Sequence, residues 1–250
     1  MIKIKYMKSL KITAISMLTA ALTLSSCGED YITVDPTDVA TGEQIDDLAT
    51  KNPDKLMIVI DPLLAGMYNY MNQYNTQGSS STVHNGLTSF FHLGDVMTDD
   101  LAFEVQGSGW FTFDYQFQYR GEQYIRTFMY WNFFYTLINK SNDIISKIPE
   151  GVESAEINAA KGQALAIRGM AYYYLISMYQ QTYSSLPDPA TALGVPLIYT
   201  PNEGESRLNR VPVAEVYAQA EADLKNGISL LEASPFSFLM RSMWARMSGP

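Results

Sequence analysis

The chain has 250 residues, 47% of them hydrophobic and 17% charged, enough to bury a sizeable core in one or two domains. Its formal net charge is −9, and removing residues 1–26, which hold four lysines and no acid, leaves 13 basic against 26 acidic residues. That balance argues against nucleic acid and against electrostatic adhesion to anionic lipid. A single cysteine, Cys27, excludes an intramolecular disulfide framework and a cysteine-built metal cluster.

In chain order, Lys3, Lys5, Lys8 and Lys11 precede an apolar run from Ile12 to Leu24, followed by Ser25, Ser26 and Cys27. Thirteen residues are too few to span a bilayer as a helix and match a signal peptide, assigned here to residues 1–26. Leu24-Ser25-Ser26-Cys27 resembles a lipobox, in which Cys27 is acylated and becomes the first residue of the mature chain. The plainer reading is an ordinary secretory signal with an incidental cysteine. Acyl chains give firm anchoring, because each buried methylene contributes ~0.8 kcal/mol. Gly28-Glu29-Asp30 resembles the acidic tether of surface-exposed lipoproteins, and residues 27–52 read as that tether.

Lys55–Tyr74 has helical spacing, with Pro62 expected to mark a break or a first turn. Gln77–Thr82 is a Gly/Ser loop, and Leu87–Phe103 is predicted helical before a break at Gly107-Ser108-Gly109. Phe128–Ile148 is a long helix with Trp131, Tyr135, Ile138, Asn142 and Ile145 on one stripe, and Trp131 is expected in the core. Ser154 is a suitable N-cap for the next helix, Glu156–Tyr183. On that helix Ala159, Gly162, Ala166 and Gly169 form a small-residue face, which predicts close approach of a neighbouring helix backbone. Two antiparallel helices with small residues at their crossing describe a tetratricopeptide-like hairpin. Ser184–Val211 reads as a long Pro-rich crossover, after which Pro212 suits a first helical position. Val213, Val216, Ala220, Leu224, Ile228 and Leu231 then mark the first helix of a second repeat. The last stretch, residues 234–250, is anomalous and contains no acid; it reads as the tail of a truncated or frame-shifted product.

Three signals together resemble the SusD/RagB family of outer-membrane nutrient-binding lipoproteins of Bacteroidetes-type bacteria. They are Arg168-Gly169 within a Tyr-rich helix, Val195-Pro196-Leu197, and Glu215-Val216-Tyr217 followed by Asp223-Leu224 and Leu230-Leu231. The chain departs from the family pattern at Gln180-Gln181-Thr182-Tyr183, where Tyr-Gly is usual. The resemblance implies a mostly all-α fold, with tetratricopeptide-like hairpins in an α-superhelix with long loops, over residues 53–233. It also implies capture of oligosaccharide at the outer-membrane surface and delivery to a SusC-like TonB-dependent transporter. The rivals are a peptide-binding RagB-type lipoprotein and a surface-anchored carbohydrate-active enzyme.

Chemistry has few places to hide. His84 and His92 are the whole imidazole supply; His92, Asp95 and Asp99 could share a helical face, but a solvated helix end explains them. Asp99-Asp100 with Glu104 do not make a glycosidase pair, which needs carboxyls held across a sugar from separate elements. No metal site, cofactor or catalytic constellation is predicted. Trp110 follows Gly-Ser-Gly and precedes Phe111, Phe113 and Tyr115 in alternation, so Trp110, Phe111 and Tyr115 are the candidate ligand contacts. The competing reading is a hairpin whose aromatics pack on the helices. Arg168, inside a buried helix, is expected to partner a carboxylate or carbonyls rather than ligand.

Overall fold

The structure, a computed structural model, describes residues 44, 47–48, 51–73, 86–98, 111–118, 120–151, 154–201 and 208–231. Cys27, His84, Asp99, Asp100, Glu104, Trp110 and the tail 234–250 lie outside the described residues. The chain divides into a short unit, Met1–Gln44, of which Gln44 alone is described, and a main unit, Ile45–Pro250.

The main unit is helical: α1 (Pro53–Asn72), α2 (Gly86–Asp95), the one-turn α3 (Thr112–Tyr115), α4 (Ile125–Ser146), α5 (Ala155–Tyr179) and α6 (Val213–Leu230). A 3₁₀ turn at Tyr183–Ser185 follows α5, and among the described residues the sole β pairing is an isolated antiparallel bridge between Leu193 and Pro212.

Pro62 does not break α1, which runs through it. Proline frees the carbonyl of Ile58, and that side of the helix faces water, with Ile58 71% exposed, so solvent can satisfy the lost bond. The helix predicted to reach Phe103 ends at Asp95 and passes into turns closed by Val96, Met97 and Thr98. Ser154 caps α5 as expected, its Oγ accepting from the Ile157 amide at 3.2 Å. Pro212 stands one place earlier than expected, at the N-cap of α6.

α4 and α5 run antiparallel. Tyr179, at the end of α5, donates its hydroxyl to the Thr127 carbonyl at the start of α4, while Arg168 meets Asn142 further along. The small-residue face of α5 serves a different neighbour from its hairpin partner. A Cβ on Gly169 would sit 2.8 Å from the Ala220 carbonyl oxygen, and one on Gly162 would sit 3.1 Å from that of Gly227, so it is α6 whose backbone approaches. Gly227 faces back onto the Gly162 carbonyl in the same way. Glycine's cost within a helix is offset here by contact between the two backbones.

The deepest stripe of α4 is Tyr130, Phe133, Phe134, Leu137, Ser141 and Ile144, displaced from the predicted one; Ile138 and Asn142 are shared. Trp131 packs on the core from its rim, 4.6 Å from the Tyr135 ring and edge-on to Tyr179 at 5.1 Å.

A buried polar cluster ties α4, α5 and α6 to the crossover. Arg168 donates from Nε and Nη2 to the two Asp223 oxygens, each at 2.7 Å, and from Nη1 to Asn142 Oδ1 at 2.8 Å. Burial opposes the guanidinium charge, but the hydrogen bonds and charge of Asp223 outweigh it and raise the Arg168 pKa. Asn142 Nδ2 and the Tyr172 hydroxyl both donate to the Ile198 carbonyl at 3.0 Å, and Tyr135 donates to that of Pro196 at 2.8 Å. Arg168 is therefore structural, as its sequence context suggests. Gln180, at the departure from the family pattern, donates to the Leu193 carbonyl at 2.9 Å and joins the same crossover to the end of α5.

Candidate functional site

A pocket of about 260 Å³ opens where α2, α3, the start of α4 and the end of α5 converge. Its apolar floor comes from Phe90, Leu93, Met129 and Tyr130. Phe90 and Tyr130 are locked edge to face at 4.7 Å, and the Tyr130 hydroxyl donates to the Phe90 carbonyl at 2.8 Å. Met178 and Tyr179 form the side contributed by α5.

The charged wall is Asp114, Arg120 and Arg126. Asp114 is only 5% exposed, and Arg126 Nη1 donates to its Oδ2. Burial pushes the Asp114 carboxyl above its usual range, against the charge and hydrogen bond of Arg126, which pull it down. The local backbone explains how Asp114 reaches the wall. Phe111 opens α3 in the left-handed region at φ 55°. Phe117 closes it at φ 56°, its amide donating to the Asp114 carbonyl and that of Gln118 to the Phe113 carbonyl. Those two bonds are the Schellman pattern, with phenylalanine where glycine is usual.

Phe113 and Tyr115 thus lie on one helical turn capped by Phe111, not on the hairpin that competed with a binding platform. Phe111 turns partly inward against the core, edge-on to His92 at 6.1 Å. Tyr115 is half-buried and Phe113 exposed. Phe111, at the N-cap of the helix that carries Asp114, and Tyr115, its last residue, do not enter the pocket wall. Asp114, Arg120 and Arg126 escape the sequence reading because the Asp114–Arg126 pair joins residues twelve apart across a loop, a spacing that matches no regular period.

The pocket offers apolar and aromatic surface beside hydrogen-bonding charges, an arrangement suited to a polyhydroxylated ring. Asp114 is the only carboxylate among the described lining residues, whereas glycoside hydrolysis uses two. Among the described residues no group of three or more His, Cys, Asp or Glu is placed to hold a metal, and no helix is long and apolar enough to cross a membrane.

Residues 47–246 match the SusD-like family described as starch-binding and associating with the outer membrane. A SusD-like carbohydrate binding protein from Bacteroides vulgatus ATCC 8482 superposes with a TM-score of 0.63 at 24% identity, covering 76% of this chain and 40% of that one. A second protein of that organism, assigned to sugar binding, gives 0.61 at 27% identity, covering 76% and 42%. A SusD superfamily protein from Bacteroides thetaiotaomicron VPI-5482 gives 0.57 at 20% identity, with the same coverages. The chain therefore spans about four-tenths of the length of the solved structures it matches. No curated protein matches it. With the family matched across most of the sequence and its helical fold reproduced, the chain belongs to the SusD-like family.

Proposed function

We propose that this chain is a cell-surface solute-binding lipoprotein that captures oligosaccharide and delivers it to a SusC-like TonB-dependent transporter in the outer membrane. The observation that carries the reading is the family match over residues 47–246, whose description joins starch binding to the outer membrane. The pocket beside Asp114 adds a physical reason, since its aromatic floor and charged wall suit a sugar ring. In this reading residues 1–26 are the signal, Cys27 carries the lipid, and residues 27–52 tether the helical domain at 53–233 to the outer leaflet. Trp110, Phe111 and Tyr115 are the aromatic ligand contacts of this reading. The protein binds and hands over, with no bond made or broken.

Calorimetric titration of the chain with neutral and acidic oligosaccharides and with mixed peptides tests the proposal. Saturable binding of at least one glycan class, with the glycan recovered intact, is expected. Binding of peptides alone would favour the RagB-type reading, and release of shortened products from a labelled glycan would make the protein an enzyme.

A further inference from the structure

We propose that the pocket beside Asp114 takes an acidic sugar, with Arg120 receiving its carboxylate. This deepens the saccharide-binding reading and rests on it. The argument begins with the charges on the wall. Asp114 is ion-paired with Arg126 and also feels the charge of Arg120, so among the described lining residues two guanidiniums face one carboxylate and the wall keeps a net positive charge. Arg120 Nη2 donates to the Met97 sulfur at 2.7 Å, and its guanidinium lies 4.3 Å above the Phe117 ring. Both neighbours are uncharged, and a thioether is a weak acceptor. Among the described residues no carboxylate lies within ion-pairing distance of Arg120. In a chain with 26 acids against 17 bases, a pocket wall whose described residues carry an excess of positive charge stands against the overall balance.

Arg120 is also held in place. Thr127 Oγ1, on the first turn of α4, donates to the Arg120 carbonyl at 3.2 Å, which fastens its backbone to the helix. The ring beneath the guanidinium belongs to Phe117, whose φ of 56° is a conformation that bulky residues rarely adopt. Strain of that kind persists where the surrounding structure imposes it, and it clusters at ligand clamps. Here it places an aromatic face under a cation at the rim of the pocket. A guanidinium fork fixed in this way matches the two oxygens of a planar carboxylate. The apolar floor at Phe90 and Tyr130 would then receive the C–H face of the same ring.

The test titrates the full chain with trigalacturonate, with the carboxyl-reduced neutral trimer and with a sulfated neutral trimer. The wild type should prefer trigalacturonate to the neutral trimer by about 10- to 100-fold, the range set by a charged hydrogen-bonded contact. Arg120→Gln should abolish that preference by lowering affinity for trigalacturonate to that for the neutral trimer, with the melting temperature unchanged, and Arg120→Lys should keep part of it. Equal wild-type affinity for acidic and neutral trimers would overturn this proposal and leave saccharide binding intact. A preference that survives in Arg120→Gln, or a stronger preference for the sulfated trimer, would also overturn it. Capture of acidic peptide with no binding of any trimer would overturn both readings.

Discussion

The Arg168–Asp223 pair makes a quantitative demand on stability. Both side chains are buried, and each Asp223 oxygen takes one arm of the guanidinium fork. Arg168→Met would leave a buried carboxylate with the Gln219 amide at 3.0 Å as its remaining side-chain donor among the described residues. Breaking a buried pair from one side costs about 3–5 kcal/mol, and Asp223→Leu should cost a similar amount by stranding the guanidinium. The double variant removes both charges together. What remains is Asn142 Oδ1 without its Arg168 donor, a cost of about 1–3 kcal/mol, while half-buried Gln219 can turn to water. The two single costs would sum to about 6–10 kcal/mol, so the cycle should show a coupling of about 3 kcal/mol or more. Guanidinium chloride unfolding followed by helix circular dichroism gives all four stabilities. Single costs that add to the double within about 0.5 kcal/mol, or an Arg168→Met cost below about 1 kcal/mol, would refute the reasoning.

The glycines give opposed expectations. Gly169→Val should cost about 2 kcal/mol or more by driving α6 away, whereas Gly66→Ala, with nothing near its added Cβ, should gain ~1 kcal/mol of helix propensity; urea melts compare them. Phe117→Gly should relieve about 1 kcal/mol of left-handed strain at a position 56% exposed, raising the melting temperature while weakening whatever ligand Arg120 serves. Alkaline pH should unfold the protein. Burial holds Tyr130, Tyr135 and Tyr172 well above their ordinary value of 10.0 and pushes Tyr179 up to about 12. The unfolded state then loses protons first, and each such tyrosine withdraws about 1.4 kcal/mol per pH unit between its unfolded and folded pKa. Tyrosinate absorbance should rise together with helix loss above pH 10, and full ionisation with the helices intact would contradict this. Finally, Cys27→Ser should release the protein from the outer-membrane fraction or leave it uncleaved; unchanged acylation and fractionation would exclude the lipobox.

The sequence by itself determined the helices and most of their faces. Apolar residues recurring every three or four positions require an amphipathic helix whatever their partners, so the long elements α1, α4, α5 and α6 were legible. The same holds for local chemistry, such as the Ser154 cap, whose bond spans three residues. The small face of α5 announced a close helix neighbour, and Arg168 in an apolar helix announced a buried acceptor. Only the tertiary structure decided that the neighbour was α6 and the acceptor Asp223, because a face on one helix carries no address for its partner. It also decided that Pro62 could remain inside α1, since the carbonyl it frees happens to face water. The pocket was least legible of all. Asp114, Arg120 and Arg126 converge through a loop and a one-turn helix bounded by two phenylalanines at positive φ, a conformation that phenylalanine's own preference opposes.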